Sequence, residues 1–346
     1  MNAGSTADEP SPAADAGHDP SGYKIRPAAA DELAVCGAIW RDALNDYLGR
    51  LAQPEVPDDY GPILRLYAHL HGTDPTTFLV AERTAGPPPA PPGERVSDDG
   101  SAIDAFVVVV RRERLAYLSM LFVRPGVQGR GLGRALLDGA MPDDPARVDW
   151  RATSTDSAQP ISNGLYGALG MVPRIPLLRL VGVPNGDEAF DPLPDGVEAI
   201  GFDEIPDAAD GLGRSALDAE LASLDRDAAG FARAPDHPFH LREGRVGFLF
   251  RDRTGAAIGY GYTSEAGRIG PVAVRNEADL GPVIGHLVHA VRPRGAFGIW
   301  VPGSAGGAVV PLLRAGFRFD GFPVLLCWDR PFADFARYVP MSPGLL

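Results

Sequence analysis

The sequence predicts an α/β (α+β) chain made of two copies of one fold, each a sheet flanked by helices, and three observations predict it. From Tyr23 onward the segments run strand, two helices, strands, helix, strand, helix, strand. A polar, turn-rich stretch, VPNGDEAFDPLPDG from Val183 to Gly196, interrupts that order, which then resumes in similar form. Shifting the chain by 151 residues lays Val123-Arg124 on Val274-Arg275 and Leu136-Leu137 on Leu287-Val288; a shift of about 146 lays LYGALGM on LLRAGFR. The expected organisation is a disordered tail (1–22), a first domain (23–182), a linker (183–195) and a second domain (196–346).

The elements follow in order. YKIRPA, Tyr23 to Ala28, is β-rich and ends near Pro27. A helix follows, capped by Asp31, with Leu33, Cys36, Ile39, Trp40, Ala43 and Leu44 at helical spacing. DDYGPILRLYAHLHG gives a second helix, capped by Asp58 or Asp59 and ended by Gly72. TTFLVAE and AIDAFVVVVRRE are strands, joined by a Pro-rich surface loop, Thr84 to Ser101. RLAYLSMLFV is a strand, GRGLGRALLDGAM opens a helix, RVDWRATST is a strand, ISNGLYGALGM a short helix and RIPLLRLVG a closing strand. In the second copy EIPDAADGLGRSALDAELASL is helical; VGFLFRD and AAIGYGYT are strands. RIGPVAVRNEADLGPVIGHLVHAV reads as strand, loop and helix, GIWVP as a strand, VVPLLRAGF as a helix and PVLLCWDR as a strand.

Composition bounds the function. With 45% hydrophobic residues in 346, a sizeable core is available. A net charge of -13 argues against nucleic acid as a partner and is compatible with a cationic or amine-bearing one. Two distant cysteines, Cys36 and Cys327, support neither a disulfide framework nor a thiolate zinc site, and no metal motif appears. No signal peptide or membrane span is legible, so the expected location is cytoplasmic and the expected state a monomer or homodimer.

The stretch FVRPGVQGRGLGRALL, Phe122 to Leu137, carries the chemistry. A helix start leaves its first N–H groups unpaired at the positive end of the dipole, which suits a phosphate. Gly129 permits positive φ, Gly131 and Gly133 remove side chains that would hold a bulky anion away, and Arg130 and Arg134 add positive charge. No Lys-Ser or Lys-Thr follows, so the P-loop pattern fails. Pro125 to Gln128 separate strand from glycines, and Asp149 would start a strand rather than end one, so the dinucleotide fingerprint fits poorly. A glycine-rich turn capping an ordinary helix is the plain alternative.

The run from YLSMLFVRP into QGRGLGRALL resembles motif A of the GNAT acyltransferases, Q/R-x-x-G-x-G/A, with Gln128-Gly129-Arg130-Gly131-Leu132-Gly133 in its specified positions. The surrounding elements, LYGALGM included, fit that family too; the second copy fits by architecture only. The resemblance implies two GNAT-like domains in tandem, each a mixed, mostly antiparallel sheet flanked by helices, with acetyl-CoA or another acyl-CoA as cosubstrate and no metal. It implies that main-chain N–H groups from Gln128 through Gly129, Arg130, Gly131, Leu132 and Gly133 to Arg134 hold the diphosphate. The pantetheine arm would pair with Leu121, Phe122 and Val123, leaving Ser162 and Asn163 as further coenzyme contacts. Tyr166, four residues before Gly170-Met171, becomes the candidate acid that protonates the departing thiolate.

The strand glutamate that many GNATs carry would fall near Tyr117 or Ser119, and neither is a carboxylate. A water chain through Ser119 or a backbone carbonyl is the expected substitute; Glu82 and Asp104 read as surface or turn carboxylates. His69 and His71 fall on different helix faces, with His71 favoured by the helix C-terminus. Trp40, Asp46, Tyr47, Asp58, Asp59 and Tyr60 are candidate walls of an amine pocket. In the second copy Pro282 lacks an N–H, Glu277 and Asp279 repel phosphate, and Leu312 stands in the tyrosine's place, so that copy is expected to be structural. The expected activity is acetyl transfer from acetyl-CoA to a small-molecule or peptide amine by the first copy. A non-catalytic acyl-CoA-binding or regulatory protein, and an O-acyltransferase, are the alternatives.

Overall fold

The computed structural model describes residues 22–84, 101–142, 144, 146, 148–186, 189–205 and 212–346. Residues 1–21 of the expected disordered tail, most of the Pro-rich loop, and residues 206–211 of the expected helix in the second copy lie outside them.

The first half runs β1 (Tyr23–Pro27), α1 (Leu33–Arg50), α2 (Gly61–Thr73), β2 (Phe78–Arg83), β3 (Ile103–Arg112), β4 (Leu115–Val123), α3 (Leu132–Ala140), β5 (Trp150–Asp156), α4 (Pro160–Ala168) and β6 (Val172–Gly182). The second runs β7 (Glu198–Gly201), α5 (Leu212–Ala228), α6 (Asp236–Arg242), β8 (Val246–Arg251), β9 (Ala257–Thr263), β10 (Arg268–Val274) and α7 (Leu280–Ala290). It closes with β11 (Phe297–Pro302), α8 (Gly306–Arg314), β12 (Arg318–Phe319), β13 (Val324–Trp328) and β14 (Tyr338–Val339). The strands lie in one 14-stranded sheet, mostly antiparallel. Of its adjacent pairs, β4–β5 and β10–β11 are parallel.

The helix starts differ from the caps expected. α1 follows a 3₁₀ turn that contains Asp31, and the Glu32 carboxylate reaches back to accept from the Ala29 N–H at 2.7 Å. Asp59 Oδ1 accepts from the Gly61 N–H at 3.0 Å at the start of α2, whereas Asp58 pairs with Arg41. Gly72 lies inside the last turn of α2, which continues to Thr73.

Within the sheet, β13 lies between β5 and β6, antiparallel to both, although it comes from the far end of the chain. In return β6 is long: Val172 to Leu177 pair with β13, and Leu177 to Gly182 with β11. Each half's sheet is thus continued by a strand of the other. The stretch between them is not wholly polar in behaviour, since Phe190 is buried in the core beneath α7, against Gly285.

β3 is buried on both faces, which is why its sequence is a continuous run of valines rather than an alternation. One face receives α3 through Leu132, Leu136, Leu137 and Ala140. The other receives α1 and α2, whose apolar residues share a single core with α5 and α6 of the second half.

That shared core holds a buried polar network. Arg112, at the end of β3, donates to Asp236 of α6 from Nε at 2.8 Å and Nη2 at 2.6 Å, and to Asp74 from Nη1 at 3.0 Å. His69 Nε2 lies 2.7 Å from Asp236 Oδ1, with its ring stacked on Phe239. Asp225 accepts from Arg233 and Tyr260 and meets His237 Nε2 at 3.1 Å. His69 is therefore a fixed member of the junction between halves, a role its sequence context did not signal. His71 Nε2 sits 3.0 Å from the Ala28 carbonyl, in the last turn of α2.

His240 is fully buried, and among the described residues neither ring nitrogen has a hydrogen-bond partner. Burial, with Arg245 adding repulsion, holds its pKa well below the ordinary imidazole value. The folded state keeps it neutral while the unfolded chain protonates near pH 6.5. The stability this residue contributes is present above that pH and lost below it, by about 1.4 kcal/mol per pH unit. His240→Phe should flatten the fall in the urea midpoint between pH 7 and pH 5. An equally steep fall in the variant would refute the assignment.

Candidate functional site

The site starts from an irregularity in β4. Val108 lies opposite Met120 but Val109 opposite Leu118, so Ser119 is an extra residue that bends the strand. β5 accompanies β4 only from Leu115 to Leu118, against Trp150 to Thr153, while its other edge pairs with β13 from Ala152 to Asp156. The two strands splay. Among the described residues no strand pairs with β4 past Leu118 on this side, and the half-buried Leu121, Phe122 and Val123 line the opening.

At the end of β4, Pro125–Val127 form a 3₁₀ turn, and Gly129 and Gly131 both adopt φ of +78°. L side chains are strained there, which explains two of the three glycines. Gly131 is the N-cap of α3; the first bond of the helix runs from the Ala135 N–H to the Gly131 carbonyl, leaving the N–H groups of Leu132, Gly133 and Arg134 without a partner one turn back. Gly133 differs from expectation: a Cβ there would face Val123 and Leu121 at 3.8 and 3.9 Å, so the residue lies against β4 in ordinary contact. Gln128 donates from its side-chain amide to the Val123 carbonyl at 3.0 Å, fastening the loop to the strand. Arg130 and Arg134 are exposed, and Arg134 pairs with Asp138 one turn on.

Tyr166 is 6% exposed, in the core cluster that also contains Leu118 and Cys327, on the α3 side of the sheet. Burial raises its pKa to about 12, partly offset by a hydrogen bond with Ser162. The phenol is thus protonated at neutral pH. Asn163 donates to the Asp156 and Gln159 carbonyls at 3.1 and 2.8 Å and so holds the turn into α4; its Oδ1 is buried without a partner among the described residues.

On the opposite face, the last residues of the chain meet the splay. Ser342 and Leu345 exchange both main-chain hydrogen bonds at 3.2 Å, with Pro343 and Gly344 at the corner. Ser119 donates to the Gly344 carbonyl; Tyr117 and Ser154 both donate to the Pro343 carbonyl, Ser154 at 2.8 Å. The Ser119 hydroxyl proton is therefore held by Gly344, leaving its lone pairs to accept.

The other candidates are committed elsewhere. Asp104 is buried rather than on the surface, with Arg83 Nε at 2.8 Å and Tyr23 Oη at 2.8 Å. Glu82 pairs with Arg26 at 2.7 Å. Asp46 pairs with Arg50, and Arg41 lies 5.9 Å over the Tyr60 ring. Trp40 packs on the shared core, and Tyr47 lies beside Asp156 at the end of β5.

The corresponding region of the second half is built differently. Leu132 opens α3 eight residues after Arg124, whereas Leu280 opens α7 five residues after Arg275, so α7 begins three residues earlier than the 151-residue offset from α3 would place it. Glu277 and Asp279 occupy the shortened loop. A concavity of about 510 Å³ near it is lined by Asp191, Glu277, Gly281 and Gly307. β10 and β11 are paired only at Arg268 and Ile269, and between them lies β14, antiparallel to β10 with Val339 opposite Val272 and Tyr338 opposite Ala273. Leu312, at the position expected for it, is fully buried.

No family model matches the sequence, and no curated protein matches it. Solved structures do. A candidate acetyltransferase from Pyrococcus horikoshii is 16% identical, with 94% of this chain and 96% of that one covered at a TM-score of 0.65. A GCN5-related N-acetyltransferase from Sphaerobacter thermophilus is 16% identical, covering 91% and 98% at 0.54. A tandem GNAT protein from the clavulanic acid biosynthesis pathway is 15% identical, covering 89% and 99% at 0.52. The fold is that of the GCN5-related N-acetyltransferases, and its length and sheet fit two such units in tandem.

Proposed function

We propose that the protein transfers an acetyl group from acetyl-CoA to the amine of a small molecule or peptide, using the cleft of its first half. One contrast carries this reading. The first half has a splayed β4–β5 pair ending in a left-handed glycine turn and a bare helix start. In the second half a strand of the same chain fills the equivalent opening. The residues present suit a diphosphate at the loop: Gly129 is exposed, with no atom of the described residues within 4 Å of where its Cβ would lie, and Gln128 to Arg134 include no acidic side chain.

In this reading main-chain groups of Leu121, Phe122 and Val123 guide the pantetheine arm, as an added strand would be guided. The loop N–H groups from Gln128 to Arg134 hold the diphosphate, and Asn163 shapes the α4 turn beside it. The amine nitrogen attacks the thioester carbonyl; a C–N bond forms, the C–S bond breaks, and the thiolate takes its proton from Tyr166. The amine's own proton leaves through a water or main-chain acceptor near Ser119, whose lone pairs are available. The transfer as read here assigns no step to a metal. No helix among the described residues is long and apolar enough to cross a membrane, and we read the location as cytoplasmic.

Titration with acetyl-CoA followed by native mass spectrometry tests the reading. The expected result is one coenzyme per chain, lost in Gly131→Val, because a β-branched residue at φ of +78° rebuilds the loop. Two coenzymes per chain, or unchanged binding in the variant, would remove the assignment to the first half.

A further inference from the structure

We propose that the turn Ser342–Leu346, contributed by the end of the second half, is the wall that limits the acyl group in the cleft of the first half. It makes the protein selective for the shortest acyl-CoA donors. This rests on the reading that the cleft takes an acyl-CoA thioester.

The turn is placed where the acyl group has to arrive. With the diphosphate at the start of α3 and the arm running back along Val123, Phe122 and Leu121, the thioester approaches the point where β4 and β5 part, at Leu118 and Ser119. The turn is fastened at that point to both strands: Tyr117 and Ser119 reach it from β4, Ser154 from β5. Gly344 lies so close to Met120 and Leu66 that a Cβ would be 2.7 Å from one and 3.6 Å from the other. Behind it the Met120 and Leu66 side chains already pack against the turn.

The turn is also a fixed structure rather than a loose end. Upstream it is anchored by β14, whose pairing with β10 continues in the bond from the Val274 N–H to the Arg337 carbonyl. Downstream, Leu345 and Leu346 are 1% and 3% exposed, in the core shared with Leu66, Tyr67 and Met120. An acyl chain that lengthens through the splay meets the corner carbonyls of Pro343 and Gly344, already hydrogen-bonded, and then packed leucines. An acyl chain too long for the space before the turn is disfavoured by roughly tenfold or more.

Calorimetric titration with acetyl-CoA, butanoyl-CoA and hexanoyl-CoA tests this without knowledge of the acceptor. In the full chain, acetyl-CoA should bind about tenfold or more tighter than hexanoyl-CoA. Removing residues 342–346 should bring the ratio to within about twofold. Tyr117→Phe/Ser154→Ala, which frees the Pro343 carbonyl while keeping the buried leucines, should move it the same way if the deletion fails to fold. Equal binding of all three donors by the full chain, or a ratio unchanged in a folded variant, overturns the proposal. Failure of every thioester and of free CoA to bind overturns the underlying reading instead.

Discussion

Tyr166→Phe is expected to lower turnover by about 100-fold, the lower end of what a general acid contributes, with acetyl-CoA affinity unchanged within about twofold. The expectation comes from burial and chemistry together. The ring is packed into the cluster beneath the splay, so removing one oxygen leaves its packing intact. Burial raises the phenol's pKa to about 12, which keeps it protonated across the physiological range and ready to donate to a thiolate. The rate's dependence on alkaline pH should change with it: a limb contributed by loss of the phenol proton would be missing from the variant. The measurement is steady-state release of free CoA over an amine panel, with affinity read separately. Full activity in Tyr166→Phe would eliminate the acid role, and a parallel loss of affinity would make the residue a structural support.

Asp236→Ala should destabilise the protein by about 3–5 kcal/mol, a large share of the 5–15 kcal/mol typical of folded proteins. Asp236 is fully buried and receives two bonds from Arg112 and one contact from His69, both from the other half. Burial by itself would raise its carboxyl pKa; Arg112 and His69 more than offset this and hold it well below the usual range. Stability from this group is present above about pH 4, the unfolded value, and lost as the solution is acidified. The alanine variant leaves Arg112 buried with Asp74 as its remaining carboxylate partner. Guanidinium unfolding at pH 7 measures the loss, and one transition rather than two is expected because the sheet is continuous. A loss below about 1 kcal/mol would mean that water reaches the pair.

Much of this was legible in the residues. Long periodic helices and valine-rich strands announced themselves, and the run from Gln128 to Gly133 located the loop, because positive φ at Gly129 and Gly131 is a demand that only certain residues meet. What was not legible depends on distant partners. β7, β12 and β14 are four, two and two residues long, too short for a periodic signal, and α6 contains Pro238. Nothing local in PVLLCWDR says that it inserts between β5 and β6. Asp104 looked like a turn carboxylate because its three cationic and phenolic neighbours come from β1, β2 and the residue just after β4. The hydroxyls of Tyr117, Ser119 and Ser154 gained meaning only when a segment more than 180 residues away was found against them. Its one local hint was the Pro-Gly pair, a turn signal in an otherwise featureless ending.

The position of β13 also constrains how the molecule can be made. A ribosome that has released the first 182 residues has produced β5 and β6, yet the strand that joins them is encoded more than 140 residues later. At about 5–20 residues per second the nascent first half waits roughly 7 to 30 seconds with two naked strand edges, the kind that pair wrongly or aggregate. Chaperone demand during translation, and failure of either half when produced alone, follow from that interlock.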